Sequence, residues 1–328
     1  AVAPEKVGAR WMAAMRAGDW ESAWRQTDRL ELPRRQAQRS DPGFRRRPHH
    51  LVWDGTPFAG RSVLVRCEHG LGDTLQFLRF VPLLQAQARE VLLMVQPPLV
   101  RLLQGGPGLG QVRDGWCGAQ DWPSRELEVE VMELAYAFRA TPRDVPPPYP
   151  HLAAQAQRFA SVALGSGGGL RVGLLWAASD WDESRSVPVE ALEPLLGCPG
   201  ARFFALQQGA AASDPRLDRW HVEPLWRRTG AIEAAAAAML QLDLVIGIDG
   251  MAAHLAASLG RPTWLLLKHE ADWRWGPRES SDTPWYPSMR LFRQPRPGDW
   301  DGLVAQVRDA LDALVGGPTA GHGARLRA

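Results

Sequence analysis

The sequence predicts an α/β protein of two doubly wound domains in tandem. Three observations predict it. Short apolar runs, several of them β-branched, end in glycine turns that open helical segments, as after Ser62–Cys67 and Leu244–Ile248. This is the rhythm of buried parallel strands joined by crossover helices. The chain has 328 residues, too many for one ordinary core. Prolines crowd the stretch from 140 to 150 (Pro142, Pro146, Pro147, Pro148 and Pro150) and mark a boundary between two such series.

The elements follow in order. Residues 1–32 read as a helical hairpin: Trp11, Met12, Ala14 and Met15 form one apolar stripe, Gly18-Asp19 the turn, and Trp20, Ala23 and Trp24 a second stripe. A lone hairpin of this kind cannot bury its own face, so it docks on the next domain or is left from a longer array. Residues 33–50 are arginine-rich with Phe44 as their one aromatic residue, which predicts a solvated basic linker rather than a nucleic-acid arm. Domain 51–165 opens with strand 62–67, a glycine turn at Glu68–Asp73 and helix 74–88. Strand 91–95, helix 99–103 and strand 127–134 come next. Domain 166–315 follows the flexible Gly165–Gly169 run. It holds strand 171–177, helix 188–196, strand 202–207 and helix 231–240. The most regular unit comes after these. Strand Leu244–Ile248 breaks at Asp249-Gly250, helix Met251–Leu259 stops at Gly260 and Pro262, and Thr263–Leu267 is a further buried strand. Helix 299–315 presents Leu303, Val304, Val307, Leu311 and Leu314 on one face, and 316–328 is a glycine-rich, disordered tail.

Composition narrows the function classes. The chain is 45% hydrophobic and 23% charged, as globular proteins are, and its net charge of +2 calls for no nucleic-acid or membrane partner. Cys67, Cys117 and Cys198 are scattered and form no C-x-x-C pair. That predicts a reducing, cytoplasmic setting and no structural zinc or cluster. No apolar run reaches membrane-spanning length, and the first residues lack the apolar core of a signal peptide.

Two turns carry chemistry. At Asp249–Met251 the helix begins where a parallel strand ends, so its N–H groups and dipole attract a phosphate. His254 lies on the first helical turn beside that anion site. The alternative is an Asp249 that only caps the helix and a His254 that is a satisfied half-buried side chain. The earlier turn, Gly70-Leu-Gly72-Asp73, is not a dinucleotide fingerprint, because Leu75 occupies the third glycine position. A carboxylate at the helix start repels phosphate and suits a general base; the alternative for Asp73, too, is a helix cap.

Four stretches carry a family resemblance. Cys67-Glu-His-Gly-Leu-Gly-Asp-Thr-Leu-Gln-Phe-Leu-Arg-Phe80 resembles the "EQGLGDTLQF-RY" signature of bacterial tetratricopeptide-linked glycosyltransferases. These are similar to the ADP-heptose:lipopolysaccharide heptosyltransferases of glycosyltransferase family 9. Gly173-Leu-Leu-Trp176 with Arg185-Ser186 resembles "GLxWAG…RS", and Asp249 to Gly260 resembles "DTAVAHLAGALG". Asp272-Trp-Arg-Trp275 with Pro284 to Gln294 resembles "DWRW…SPWYPSMRLFRQ". Gly18-Asp-Trp-Glu-Ser-Ala-Trp24 resembles the turn and second helix of a tetratricopeptide repeat. The family match runs from about Leu51 to Leu314.

The resemblance implies the GT-B fold, two Rossmann-like domains facing a cleft, with acceptor on the first and nucleotide sugar on the second. It implies an inverting, metal-independent transferase whose co-substrate is a nucleotide-diphosphate sugar and whose acceptor is a glycan, lipopolysaccharide or protein hydroxyl. Asp73 becomes the catalytic base, on an acceptor-side loop with Glu68, His69, Gly70 and Gly72. Asp249, Gly250, Met251 and His254 surround the donor's diphosphate and sugar. Trp176, Arg185 and Ser186 line the cleft, and Gln207 and Lys268 contact the nucleotide. The hairpin becomes a protein-contact element. Trp273, Trp275, Trp285 and Tyr286 are read as core packing. His69 departs from the family's Gln, and Gly250 from its Thr or Ser. These departures keep open a second function, a catalytically weak GT-B scaffold acting as a binding module.

Overall fold

The structure is a computed structural model, and it describes residues 4–40, 53–115, 123–165, 167–178 and 182–316. The chain divides into two compact units, Ala1–Gln155 and Ala156–Ala328. The division falls between the proline-rich stretch and the glycine run that bracket it in the sequence. Residues 41–50 of the expected linker and 317–328 of the expected tail lie outside the described residues.

In the first unit, helices α1 (Pro4–Arg16) and α2 (Trp20–Ser40) form the expected hairpin. Asp19 Oδ1 accepts the Ser22 N–H at 3.0 Å at the start of α2, and Trp11 Nε1 donates to Thr27 Oγ1 at 3.0 Å between the helices. The basic linker was expected from residue 33, but α2 continues through Pro33 to Ser40. The Arg, Gln and Ala residues beyond the proline are strong helix formers, and Arg35 Nε is anchored on the Trp53 carbonyl at 2.8 Å. The hairpin docks within its own unit. Trp24 is buried and donates its Nε1–H to the Ala140 carbonyl at 2.7 Å. Asp28 accepts from Tyr136 Oη at 2.5 Å and from both terminal nitrogens of Arg139 at 3.1 and 2.7 Å.

The sheet of this unit begins at β1 (Ser62–Arg66). Helix α3 (Leu71–Phe77), a 3-10 turn at Leu78–Phe80 and α4 (Val81–Gln87) then replace the single helix expected over 74–88. Pro82 has no N–H to continue the ladder, so the helix tightens and restarts with the proline in its first turn. Next come β2 (Glu90–Val95), α5 (Pro97–Leu103), β3 (Gln111–Asp114), β4 (Leu127–Glu130) and α6 (Glu133–Ala137). Strand β3 had no sequence assignment, and β4 stops four residues short of the expected end because Glu133 opens α6. The four strands are parallel in the order β3-β2-β1-β4.

Helix α7 (Leu152–Gln157) spans the division between the units. The second unit holds β5 (Leu170–Leu175), a 3-10 turn at Glu183–Arg185, α8 (Glu193–Leu196), β6 (Ala201–Ala205), α9 (Arg216–Arg219) and α10 (Ile232–Met239). The regular unit then follows as read: β7 (Leu244–Ile248), α11 (Met251–Ser258) and β8 (Thr263–Leu267). Strand β9 (Met289–Arg293), unassigned from sequence, and α12 (Trp300–Val315) complete it. Five parallel strands run in the order β6-β5-β7-β8-β9. Val172, Leu174, Leu244, Ile246 and Ile248 pack with Trp264, Phe292 and the Leu303, Val304, Val307, Leu311 and Leu314 face of α12 in one core.

Both strand orders reverse at a defined place. In the first sheet the chain winds outward through β1, β2 and β3, then returns to the other side of β1 as β4. In the second it winds from β5 to β6, then returns beside β5 as β7. Open parallel sheets bind ligands outside the carboxyl ends of the strands at such reversals. The two glycine turns singled out from sequence leave β1 and β7, one at each reversal.

Candidate functional site

In the second unit, Gly250 is the N-cap of α11 and Asp249 precedes it. Asp249 is therefore not the cap. Its Oδ2 accepts the Trp275 Nε1–H at 2.8 Å, and its Oδ1 lies 3.6 Å from His254 Nε2. Burial acts to raise the Asp249 pKa. The hydrogen bond and charge of His254, the Trp275 N–H and the Arg274 charge outweigh it and hold the carboxyl below its ordinary value. His254 Nδ1 is 2.9 Å from Tyr286 Oη, and its ring packs against Trp275 and Tyr286. Which of Nδ1 and the tyrosine hydroxyl donates there follows from the imidazole tautomer. The aromatic cluster read as core is indeed buried at Trp275, Trp285 and Tyr286, and it also supports the turn.

Gly250 has φ −171°, extended backbone open to any residue, and a Cβ there would meet Leu175 Cδ2 at 3.6 Å, an ordinary contact. Met251 is the first residue of α11, whose opening N–H groups have no intrahelical acceptor.

Two cations and a carboxylate complete this end of the sheet. Arg185 Nη1 donates to the Asp249 carbonyl at 2.8 Å, and its Nε stands 3.5 Å from Asp182 Oδ2. Lys268, just past β8, donates to the same Asp182 oxygen and to Ser184 Oγ, both at 2.8 Å. Burial acts to raise Asp182, but the Lys268 and Ser184 hydrogen bonds and the Lys268 and Arg185 charges hold it low. Ser186 Oγ accepts the Ala178 N–H at 2.9 Å and fastens the loop after β5. The structure thus ties Arg185, Lys268, Asp249 and His254 into one set of contacts. Two other predicted residues have different surroundings. The Trp176 indole is 3% exposed and belongs to the core. The Gln207 carboxamide is turned to backbone: its Oε1 accepts the Trp176 and Ala177 N–H groups at 3.2 and 2.8 Å, and its Nε2 donates to the Gln208 carbonyl at 3.2 Å.

In the first unit, the 68–73 turn leaves β1 beside the end of β4. Asp73 is the third residue of α3, and its Oδ2 accepts the Gly70 N–H at 3.0 Å. The cap expected as its alternative role is present, and the carboxylate is partly exposed. A Cβ on Gly70 would stand 3.1 Å from that oxygen, so the close approach favours glycine. His69 is exposed and its carbonyl accepts Gln96 Nε2–H at 2.8 Å; Gly72 is buried in α3. Glu68 pairs with the fully buried Arg66 at 2.5 Å. Beneath them sit two carboxyls that sequence reading did not single out, Glu130 buried and Glu133 partly buried. Glu130 accepts the Met132 N–H at 2.7 Å, and Glu133 accepts the Glu130 and Trp53 N–H groups at 3.0 and 3.1 Å. Burial pushes Glu130 up to about 8 and Glu133 up to about 7. Asp182, Gln96 and this carboxyl pair were missed because each acts across a strand crossover that no local spacing reveals.

Among the described residues, no group of three or more His, Cys, Asp or Glu side chains is placed to hold a metal ion, and no helix is long and apolar enough to cross a membrane.

Two all-parallel sheets, each with its glycine turn at the reversal of strand order, are the fold this chain shares with solved GT-B glycosyltransferases. Solved structures of glycosyltransferase family 9 share it. The Veillonella parvula family 9 glycosyltransferase matches with a TM-score of 0.56 and 13% identity, over 79% of this chain and 98% of that one. The E. coli ADP-heptose lipopolysaccharide heptosyltransferase II matches with a TM-score of 0.53 and 14% identity, over 77% and 98%. E. coli heptosyltransferase WaaC with ADP gives 0.52 and 14%, over 81% and 99%. At these identities the likeness is one of fold. Among curated proteins, Protein FlbA of Caulobacter vibrioides is 25% identical over 296 residues. The match takes in 79% of this chain and 48% of that relative, so the chain spans about half its length. No protein-family model matches the chain.

Proposed function

We propose that this chain is an inverting, metal-independent glycosyltransferase that moves a sugar from a nucleotide-diphosphate sugar to a hydroxyl of a glycan, lipopolysaccharide or protein. The observation that carries the reading is the set of contacts at the reversal of the second sheet. There the start of α11, Arg185 and Lys268 are joined through Asp249 and Asp182. Arg185 and Lys268 offer charged donors beside a helix N-terminus, which suits a diphosphate. The fold shared with transferases solved with ADP and an ADP-heptose analogue supports a nucleoside diphosphate there.

In this reading, Asp73 takes the proton of the acceptor hydroxyl. The freed oxygen attacks the anomeric carbon from the face opposite the diphosphate. The anomeric C–O bond breaks with its electrons passing to the nucleoside diphosphate, and configuration inverts. The charge that grows on the leaving group is met by the α11 N–H groups, Arg185 and Lys268, with no metal required. Asp249 and His254 act from below, fixing the turn through Trp275 and Tyr286. Trp176 contributes through its backbone.

The test is release of nucleoside diphosphate from a panel of ADP-, GDP-, UDP- and TDP-sugars, with and without EDTA. Turnover of one donor, unchanged by EDTA, is expected. Tight binding with no turnover of any donor would favour the scaffold instead, and activity restored only by Mn²⁺ would overturn metal independence.

A further inference from the structure

Three glutamines occupy equivalent places in the two sheets. Gln96 follows β2, Gln207 lies two residues past β6, and Gln294 follows β9. All three are buried, at 0%, 7% and 3% exposure. Each carboxamide reaches sideways to the loop that leaves the neighbouring parallel strand. Gln96 Nε2 donates to the His69 carbonyl at 2.8 Å after β1, while its Oε1 accepts Thr74 Oγ1–H at 3.0 Å. Gln207 Oε1 accepts two N–H groups after β5. Gln294 Oε1 accepts the His269 N–H after β8 at 3.0 Å and the Gly298 N–H at 3.1 Å. Where a parallel strand ends, its backbone groups lose their ladder partners, and buried ones need replacements. An uncharged side chain with both a donor and an acceptor supplies them without burying charge.

We propose that these glutamines are positioning residues, latches that set the strand-exit loops at the carboxyl ends of both sheets, and that Gln207 serves the donor through the loop after β5 rather than by touching it. The link to the donor rests on the reading of the Asp249–Met251 turn given above. The latches themselves do not. Gln207 and Gln96 differ in which end of the amide they use. Gln207 works mainly through its oxygen, so a carboxylate can replace it. Gln96 uses both ends, so an ionised carboxylate cannot donate to His69 and does not replace it.

The test compares Gln207→Glu with Gln207→Met in the full chain. Two readouts are taken, amide hydrogen exchange over residues 176–178 and ADP affinity by calorimetry. A latch predicts that Gln207→Met speeds exchange there by roughly threefold to tenfold, the worth of a lost hydrogen bond. It predicts a similar weakening of ADP, with Gln207→Glu near wild type in both. A direct nucleotide contact predicts the opposite order: Gln207→Glu sets a carboxylate against the diphosphate and loses more ADP affinity than Gln207→Met. Exchange that is the same in all three proteins overturns the latch. If the wild-type chain binds no ADP, the donor reading fails, while the exchange data still decide the latch. Gln96→Met and Gln96→Glu are expected to keep ADP affinity and both to lower turnover of the accepted sugar nucleotide. Rescue by Gln96→Glu would overturn the two-ended assignment.

Discussion

Asp73 shows how one side chain can be read two ways. Its Oδ2 caps α3 on the Gly70 N–H, and the same carboxylate is the base of the proposed reaction. Asparagine keeps an oxygen for the cap and removes the proton acceptor, so Asp73→Asn separates the roles. Transfer is expected to fall on the order of 10²–10⁴-fold with ADP affinity and folding stability close to wild type. Near-normal turnover in that variant would leave Asp73 as a cap alone. Gly250 gives a second residue-scale test. Its extended backbone and the 3.6 Å clearance to Leu175 admit a β-branched side chain without strain. Gly250→Thr adds a hydroxyl able to donate to a phosphate oxygen, and Gly250→Val has nearly the same shape without one. Calorimetry with ADP should separate them by roughly 1.5–3 kcal/mol, the worth of a hydrogen bond to a charged group. Equal affinities would place the diphosphate elsewhere.

At the scale of elements, the N-terminal hairpin is part of the first unit's core. Its apolar stripe is spent on Trp24, packed against Tyr136, and its polar edge on the Asp28 contacts with Tyr136 and Arg139. Partly exposed ion pairs contribute little, so most of the docking stability belongs to the buried tryptophan. Trp24→Phe keeps most of the ring and deletes the N–H that satisfies the Ala140 carbonyl. It should cost about 1–3 kcal/mol in urea unfolding of the full chain. An unchanged midpoint would mean that this hydrogen bond adds nothing to the unit's stability.

At the scale of the whole molecule, Glu130 and Glu133 make stability depend on pH. Glu130 and Glu133 have folded-state pKa values near 8 and 7, above the 4.5 of an exposed glutamate, because burial disfavours their charge. Over that window the folded chain holds protons that the unfolded chain has released. Their contribution to stability is therefore full below about pH 4.5 and falls as pH rises toward 8. Urea midpoints should drop from pH 6 to pH 8.5, and Glu130→Gln, neutral throughout and still able to accept the Met132 N–H, should flatten that decline. A midpoint that rises with pH in the wild-type chain would contradict the burial seen for these side chains.

Much of this architecture is local and so was legible in the sequence. The run from Leu244 to Leu267 shows its strand, turn, helix and strand in period and punctuation alone, and the structure reproduces it. The apolar face of α12 was visible for the same reason. Short elements with little periodicity were not. Strand β3 alternates poorly because only Val112 is buried, and β9 hides inside an aromatic motif. Within the sites, sequence placed Asp73, Asp249, Gly250 and His254 at strand ends, because a glycine turn after a buried run can lie nowhere else. It could not say which way Trp176 and Gln207 point, nor that Asp182 joins Lys268 to Arg185. Those facts depend on which strands become neighbours. The order β6-β5-β7-β8-β9 brings segments more than 60 residues apart to one edge, and only long-range packing, not chain neighbours, decides that order.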